Sequence, residues 1–472
     1  MNRKYKELVK NTGVLTVANF SSKILVFLLV PLYTSVLSTE EYGIADLVFS
    51  TVQLVVPIFT MNIADAVLRF TLEEDKDCET VLWTSLKYTI VSLIPCLIMV
   101  TITKITGLYD ANEVGWLIIV LYYFFYALNQ CLPTYAKGIE KVKETAISGV
   151  IGTITTIVSC IVFLVVMKTG IKGYFISNLL GQLAPVLYLV SKLDVLKIIS
   201  RPRTRNQQLE KRMLAYSIPL IMTNIGWWIN NTSDRYIITF FHDVSLNGLL
   251  SVAYKIPSIL SVLSGVFIQA WQISAMKEYK KRGSKEFYTI VFKYLNYFLY
   301  FAGFVLIILT KPLAKLAFQK EFYSAWVFVP FLMLSMVFTA NAGFFSPIIT
   351  SSYNTKDIAL STVYGAASNI VLNIVLLIVI GPQGVAIATA ISGFIIMTYR
   401  YHVMKGLIGI DVFFKISFLW LLLMLQCLLE LKSVWYLEFL LGLIAVIVSR
   451  KALYEIMQMT FITLKKRGNN NE

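Results

Sequence analysis

Uninterrupted apolar stretches of about 20 residues recur along the whole chain, and a helix of that length crosses the hydrocarbon core of a bilayer. Of the 472 residues, 57% are hydrophobic and 15% are charged. The mean hydropathy is +0.70, which is typical of a polytopic membrane protein. The stretches do not alternate polar with apolar residues, which argues against a β-barrel. They predict an all-α protein with about fourteen membrane spans, at 13–37, 44–70, 84–106, 115–137, 146–168, 172–191, 213–241, 247–271, 288–310, 325–350, 358–380, 383–403, 412–430 and 434–450.

Lys and Arg are concentrated in alternate connecting segments. The basic segments are "MNRKYKELVK", "AKGIEKVKE", "SKLDVLKIISRPRTRNQQLEKR", "MKEYKKRGSK" and "LKKRG". Connections such as "STEEYG" and "GPQG" on the opposite side are short and carry few cations. By the positive-inside rule, we expect both termini to be cytoplasmic. This asymmetry accounts for the net charge of +15 without a nucleic-acid partner, although a lipid or RNA site in 192–212 is the weaker alternative.

The chain carries a weak internal repeat with a period of about 205 residues. Asn19 aligns with Asn224, and the glycines of "TGIKG" align with those of "IGPQG". An even number of spans before the repeat predicts two parallel six-helix lobes, related by an axis along the membrane normal. The predicted organisation is an N-terminal lobe at 1–191, a basic cytoplasmic linker at 192–212, a C-terminal lobe at 213–403, and two further spans with a basic cytoplasmic tail at 404–472.

Signatures of catalysis and of metal binding are missing from the sequence. It contains no Gly-rich phosphate loop ending in Lys-Ser or Lys-Thr, no GxSxG and no HExxH. Its five cysteines form no CxxC pair, and it has only two histidines. The predicted external loops are too short to fold as a catalytic domain. We therefore predict no catalytic residue, no metal site and no cofactor, and we do not expect an enzyme.

Ionised side chains inside the predicted spans are the informative residues, because burying a charge in a membrane is costly. Lys23 lies near the middle of span 1. Asp65 and Arg69 are one turn apart in span 2, where they could also form a purely structural i, i+4 pair. Two further cations, Arg235 in "NNTSDRYIITFF" and Lys255 in "SVAYKIPSIL", flank a shared outer turn. At about 1.5 Å per residue, both should lie roughly 10 Å below the outer surface.

Cations outnumber acids at depth, so the spans should contain positive charge that faces water and binds an anion. Asp234 is expected to orient or balance the cationic pair formed by Arg235 and Lys255. Asp65 and Asp234 are the acids available for coupling to a proton or to sodium. Aromatic clusters such as "GWWINN" are mostly packing and interfacial residues, but beside a wet cavity they could stack on sugar rings.

These residues resemble those of the Wzx-like polysaccharide flippases, a branch of the multidrug/oligosaccharidyl-lipid/polysaccharide exporter superfamily. The resemblance covers nearly the whole chain, and it rests on the order and spacing of several pieces. They are "NFSSKILVFLLVPLYTSVLSTEEYGIADL" with "ADAVLRF", "NNTSDRYIITFF" with "NGLLSVAYKIPSIL", and "GPQGVAIAT" between spans 11 and 12. The resemblance implies the MATE-like arrangement of two six-helix lobes around a cavity, plus two C-terminal helices, working by alternating access in a bacterial inner membrane.

The resemblance also implies a polyprenyl-pyrophosphate-linked oligosaccharide as cargo, moved to the outer leaflet for O-antigen, capsule or exopolysaccharide synthesis. It suggests a polysaccharide polymerase complex as a further partner. By position, the residues that would bind the pyrophosphate are Lys23, Arg69, Arg235 and Lys255. Two alternatives stay open. One is a flippase for another cell-wall precursor of the lipid II or teichoic type. The other is a multidrug/cation antiporter, although the excess of buried cations argues against it.

Overall fold

The fold is built from helices that match the predicted apolar stretches. The computed structural model describes residues 28–73, 78–106, 114–201, 206–279, 281–352, 355–434, 436–444, 447 and 450. Within these ranges, 11 helices are long and apolar enough to cross a membrane. The all-α polytopic class is thereby confirmed. The number of fourteen spans stays a prediction. Large parts of spans 1 and 14 lie outside the described residues, and the helix Gln207–Phe241, which carries predicted span 7, is not among the 11.

The helices are numbered in chain order. The first ten are α1 (Val30–Val36), α2 (Thr39–Phe59), α3 (Ile63–Glu73), α4 (Cys78–Val91), α5 (Leu93–Thr106), α6 (Trp116–Gly138), α7 (Val142–Cys160), α8 (Gly170–Lys192), α9 (Val195–Ser200) and α10 (Gln207–Phe241). They are followed by α11 (Val244–Ala253), α12 (Lys255–Glu278), α13 (Ser284–Ile308), α14 (Thr310–Ala317), α15 (Val329–Ser351), α16 (Thr355–Ile380), α17 (Gln383–Val403) and α18 (Ile410–Lys432). A π-helical segment (Ile161–Val166) extends α7, and a 3-10 segment (Lys320–Phe328) precedes α15.

The chain forms two compact units, Met1–Thr232 and Ser233–Glu472, and the boundary falls within α10. In the first unit, α8 packs against α6 and α7, while α3 packs against α4 and α6. Apolar side chains of α3, α4 and α6, among them Phe70, Leu82 and Leu132, form one buried core. These helices therefore fix the position of the start of α3, where Asp65 lies.

In the second unit, α15 is the central helix. Most of its side chains are buried, since it packs against α12, α13, α17 and α18. Its sequence is apolar on all sides, as expected of a helix surrounded by other helices. Trp271 of α12 stacks on Phe344 of α15 with ring centroids 4.6 Å apart, and its indole N–H donates to the Phe344 carbonyl at 2.8 Å. This contact joins α12 to the centre of the unit.

Three predicted spans are divided between two helices. Span 84–106 is divided into α4 and α5 at Ser92. Span 44–70 is divided into α2 and α3 at Met61 and Asn62, whose φ angles of 54° and 52° are left-handed. Span 247–271 is divided into α11 and α12 at Tyr254, whose backbone stays right-handed (φ −60°, ψ −18°) and keeps helical hydrogen bonds to Leu250 and from Ser258. A proline lies near each division: Pro57 in the last turn of α2, Pro95 in the first turn of α5 and Pro257 in the first turn of α12. Because proline lacks an N–H and clashes with the preceding turn, each helix loses a hydrogen bond there.

The internal repeat has a counterpart in the backbone. Gly170, the first residue of α8, and Gly381, two residues before α17, both adopt positive φ angles, +56° and +87°. Glycine is favoured at such positions because it has no Cβ to clash. The N-caps also correspond, about 205 positions apart: the side chain of Ser38 accepts from a backbone N–H of α2, and that of Asp243 accepts from one of α11. These matches support the alignment of the two halves.

Replacing Gly384, the second glycine of "IGPQG", is expected to disturb the packing of α16 against α17. In Gly384→Ala, the new Cβ would lie 2.3 Å from the carbonyl oxygen of Leu376, so the backbone of α16 or α17 has to shift. Overpacking of this kind costs about 1–3 kcal/mol. We expect a lower melting midpoint for the purified variant in detergent. Gly265→Ala in α12 is the control, because a Cβ there meets nothing within 4 Å. Equal midpoints for the two variants would contradict the close α16–α17 approach.

Candidate functional site

In the second unit, Asp234 is a buried acid near the C-terminal end of α10. Only 2% of its surface is exposed, so its carboxylate needs partners within the chain. The Tyr254 hydroxyl donates to Oδ2 of Asp234 at 2.5 Å, and the backbone N–H of Arg235 donates to Oδ1 at 3.0 Å. Hydrogen bonds from an O–H and an N–H therefore stabilise the carboxylate where the chain breaks between α11 and α12.

Tyr254 also contacts Arg235, one of the predicted cations. The guanidinium carbon of Arg235 lies 5.7 Å from the centroid of the Tyr254 ring, within the range of a cation–π contact. Lys255, the next residue, begins α12 and is half-buried. The break at Tyr254 thus brings Asp234, Arg235 and the start of the helix that carries Lys255 to one place in the second unit. Their role in binding cargo stays a prediction.

Ser233, the residue before Asp234, is hydrogen-bonded to a buried amide of α16. The Ser233 hydroxyl donates to Oδ1 of Asn369 at 3.0 Å, and the Asn373 amide donates to the same oxygen at 2.9 Å. Both asparagines are fully buried. These contacts join α10 to α16 next to Asp234.

Arg69 does not pair with Asp65, which corrects the predicted i, i+4 pair. Its Nε donates to Oε1 of Glu73 at 2.8 Å, and its guanidinium carbon lies 4.7 Å from the Tyr216 ring centroid. Arg212 bonds the other oxygen of Glu73 at 3.1 Å. The hydrogen bond from Arg69 lowers the pKa of Glu73, so this carboxyl is ionised at neutral pH. All these side chains are substantially exposed, at the end of α3 and near the start of α10.

Asp65 lies instead beside a polar pocket of the first unit, which we call the Trp227 pocket. It has a volume of about 350 Å³, and its floor is the break between α2 and α3. The Asn62 amide donates to Oδ2 of Asp65 at 2.7 Å, and the Asn224 amide donates to Oδ1 of Asn62 at 3.0 Å. The lining residues are Gln53, Val56, Pro57, Thr60, Asn62, Ile63, Ala64, Asp65, Thr89, Tyr126, Ala127, Gln130, Asn224, Trp227, Trp228 and Thr232.

The left-handed backbone at the floor of the pocket is held by α10. The Ser217 hydroxyl donates to the Met61 carbonyl at 2.8 Å, and the Trp228 indole N–H donates to the Ser50 carbonyl at 2.9 Å. Non-glycine residues in this conformation cost about 1–3 kcal/mol each and persist where surrounding contacts fix them. Strain of this kind is concentrated at functional sites, which makes the pocket a second candidate site.

Two polar clusters were not expected from the sequence. Arg400 of α17 donates to neutral oxygens on neighbouring helices, including the Ser346 and Ser361 hydroxyls at 2.7 and 2.9 Å. Glu210 of α10 is buried and accepts from Lys87 at 2.8 Å and from Tyr88 at 2.7 Å. Nothing in the spacing of Lys87 indicated a partner 123 positions away. Lys23 lies outside the described residues.

The described part of the chain contains no group of three or more His, Cys, Asp or Glu residues placed to hold a metal ion. The acids at the two candidate sites act instead through hydrogen bonds, Asp234 with Tyr254 and Asp65 with Asn62. The site in the second unit therefore offers a ligand cationic and aromatic groups. The site in the first unit offers amide, carboxylate and aromatic groups.

Comparison with known proteins identifies a family and a fold. The sequence profile of a family described as "Polysaccharide biosynthesis protein" matches residues 8–272. No curated protein sequence matches the chain. A solved structure of the lipid II flippase MurJ in an inward closed conformation is similar, with a TM-score of 0.69, 20% identity, and coverage of 94% of this chain and 99% of that one.

Multidrug transporters have a similar fold. An inward-facing multidrug resistance MATE family transporter of the MOP superfamily matches with a TM-score of 0.67 and 14% identity, over 86% of this chain and 95% of its own. An outward-facing MATE family transporter matches with a TM-score of 0.55 and 15% identity, over 87% and 96%. At these identities the likeness shows a common fold.

The hydrogen bond between Tyr254 and Asp234 predicts a loss of stability in Tyr254→Phe. The ring remains beside Arg235, but the buried carboxylate loses its hydroxyl donor, which costs about 1–3 kcal/mol. We expect a lower melting midpoint in detergent. Tyr364→Phe is the control, because that tyrosine is 53% exposed on α16. A Tyr254→Phe variant as stable as the control would show that the hydroxyl does not stabilise Asp234.

Proposed function

The chain belongs to the family of polysaccharide biosynthesis proteins, and from this premise we propose that it is a flippase for a polyprenyl-pyrophosphate-linked oligosaccharide. The cargo would move from the cytoplasmic to the outer leaflet of a bacterial inner membrane, for O-antigen, capsule or exopolysaccharide synthesis. The family match is the observation that carries the proposal, and the fold shared with a lipid II flippase supports it. The proposed action is transport by alternating access, without enzymatic chemistry.

The electrostatics of the second unit suits an anionic headgroup. An isolated charge moved into a medium of low dielectric costs tens of kcal/mol by the Born estimate, so a pyrophosphate crossing a bilayer needs fixed cations. We propose that Arg235 and Lys255 supply them, since Arg offers a bidentate fork to phosphate and Lys a mobile point charge. Asp234 would orient Arg235 through its bond to the Arg235 backbone N–H and through Tyr254, whose ring the guanidinium contacts. Lys23 and Arg69 remain further proposed cations, although Arg69 already pairs with Glu73.

The membrane potential would assist this direction of transport. Moving an anion outward across an inside-negative membrane releases about 2.3 kcal/mol per charge for each 100 mV. Coupling to a proton or to sodium through Asp65 or Asp234 remains a second proposed contribution. We also propose the predicted organisation of lobes at 1–191 and 213–403, a linker at 192–212 and a C-terminal segment at 404–472. Cytoplasmic termini and association with a polysaccharide polymerase complex belong to the same proposal.

Two other cargo classes fit the same fold. The likeness to a lipid II flippase favours, as second candidate, another lipid-linked cell-wall precursor of the lipid II or teichoic type. The likeness to multidrug transporters keeps a cation antiporter as third candidate. A panel of fluorescent lipid-linked cargoes in proteoliposomes would separate the first two. Efflux of an organic cation in place of lipid movement would favour the third.

Removing the charge of Arg235 is expected to slow flipping. In Arg235→Gln, one charged donor to pyrophosphate is lost, and we expect the flipping rate of a polyprenyl-pyrophosphate oligosaccharide to fall at least about tenfold. The measurement is headgroup accessibility in proteoliposomes over time, after the melting profile has shown intact folding. Arg282→Gln is the matched control, because this arginine is exposed in a connecting segment of the same unit. An unchanged rate in Arg235→Gln would remove Arg235 from the transport path.

A further inference from the structure

The Trp227 pocket has the chemistry of a carbohydrate site. Aromatic rings from α6 and α10, Tyr126 and Trp227, meet the amide side chains of Gln53 and Gln130. Flat aromatic faces pack against the C–H faces of sugar rings, while amides and carboxylates hydrogen-bond the hydroxyl groups at the ring edge. The volume of about 350 Å³ is at the lower end of the usual range for small-molecule sites, about 300–1,000 Å³.

Much of this surface is open to a ligand. The side chain of Trp227 is 67% exposed although its neighbour Trp228 is fixed by a hydrogen bond to α2. Asp65 is also exposed, and its Oδ2 accepts one hydrogen bond from Asn62. A carboxylate offers about four lone-pair positions, so Asp65 retains acceptors for sugar hydroxyl groups. An interfacial tryptophan that only anchors the protein in a membrane would not need this polar surrounding.

The floor of the pocket is preorganised. Asn62 is held in its left-handed conformation by Asn224 on one side and bonds Asp65 on the other. The Met61 carbonyl, which the helix break releases, is bonded by Ser217. A site whose polar groups are fixed before binding loses less conformational freedom when the ligand arrives.

The charge of the pocket selects among sugars. Among the described residues that line it, Asp65 is the one acidic residue, and no Lys, Arg or His lines the pocket. A uronic acid would place its carboxylate near this like charge, whereas a neutral or amino sugar would not. Arg69, on the same helix, is engaged by Glu73 and Tyr216 and does not line the pocket.

We propose that the Trp227 pocket binds one or two uncharged or amino-sugar residues of the cargo, with Trp227 as the stacking surface and Asp65 as the hydrogen-bond acceptor. This inference rests on the proposed flippase function and adds a determinant of sugar specificity to it. The pyrophosphate would be bound by the cations of the second unit, so the two parts of the cargo would depend on different residues.

Direct binding tests the site without transport. The full-length protein in nanodiscs is titrated with methyl N-acetylglucosaminide and with methyl glucuronide, and binding is followed by saturation-transfer NMR. We expect the wild type to prefer the neutral glycoside. Asp65→Asn should weaken its binding about tenfold, the effect of one lost hydrogen bond to a charged group. Trp227→Ala should abolish the signal, and Trp227→Phe should restore part of it. Equal binding of both glycosides, or unaltered binding in Trp227→Ala, would overturn the proposal.

Transport of two cargoes distinguishes failure of the sugar site from failure of the flippase. Proteoliposomes are given polyprenyl pyrophosphate with and without an attached N-acetylglucosamine. Trp227→Ala should slow only the glycosylated lipid, whereas Arg235→Gln should slow both. Trp83→Ala, a half-buried tryptophan of α4 outside the pocket, is the control. Equal effects of Trp227→Ala on both lipids would overturn the sugar site but leave the flippase. A wild type that moves neither lipid would overturn the proposed function, and the NMR result would then decide on the sugar site alone.

Discussion

A polar group inside a membrane-spanning helix has to find its partner within the protein, because the lipid offers none. Most of the specific contacts in both units follow from this requirement. Asp234 is satisfied by Tyr254, Arg400 by hydroxyl and carbonyl oxygens, and Glu210 by Lys87 and Tyr88. The contacts of Glu210 join helices more than 100 positions apart, whereas those of Asp234 and Arg400 join helices that are closer along the chain. Apolar packing brings the helices together, and the polar pairs determine which faces meet.

The same requirement explains why the helix breaks lie at the candidate sites. A broken helix releases backbone groups that must be hydrogen-bonded, and polar side chains are therefore placed beside it. At Met61 the released carbonyl takes a hydroxyl from Ser217, and the adjacent Asn62 begins the network that reaches Asp65. At Tyr254 the backbone N–H and C=O keep their helical hydrogen bonds, and the phenol donates to Asp234. In each unit, an acid predicted from the sequence thus lies beside a divided span.

The sequence was informative where a local pattern has one structural solution. Apolar runs predicted most of the helices, and the aligned glycines and N-caps share a conformation in both halves. The helix breaks were not predicted, although Pro57 and Pro257 were visible, since proline is tolerated in many membrane helices. Asp65 was the predicted partner of Arg69, but Glu73 is also four residues away and forms the pair. Only contacts with Arg212 and Tyr216 on α10 favour Glu73, and such contacts have no local signature.

A lipid-linked sugar has two parts with opposite chemistry, and our proposal assigns one part to each candidate site. Pyrophosphate requires cations, and the second unit carries Arg235 and Lys255 near one buried acid. A sugar requires flat apolar faces with hydrogen-bond acceptors, and the first unit carries Trp227 and Asp65 in one pocket. A cationic group added beside Asp65 would neutralise the carboxylate and reduce the selection against acidic sugars. If separate residues perform the two tasks, a substitution in the pocket would change the sugar specificity and leave the binding of pyrophosphate unchanged.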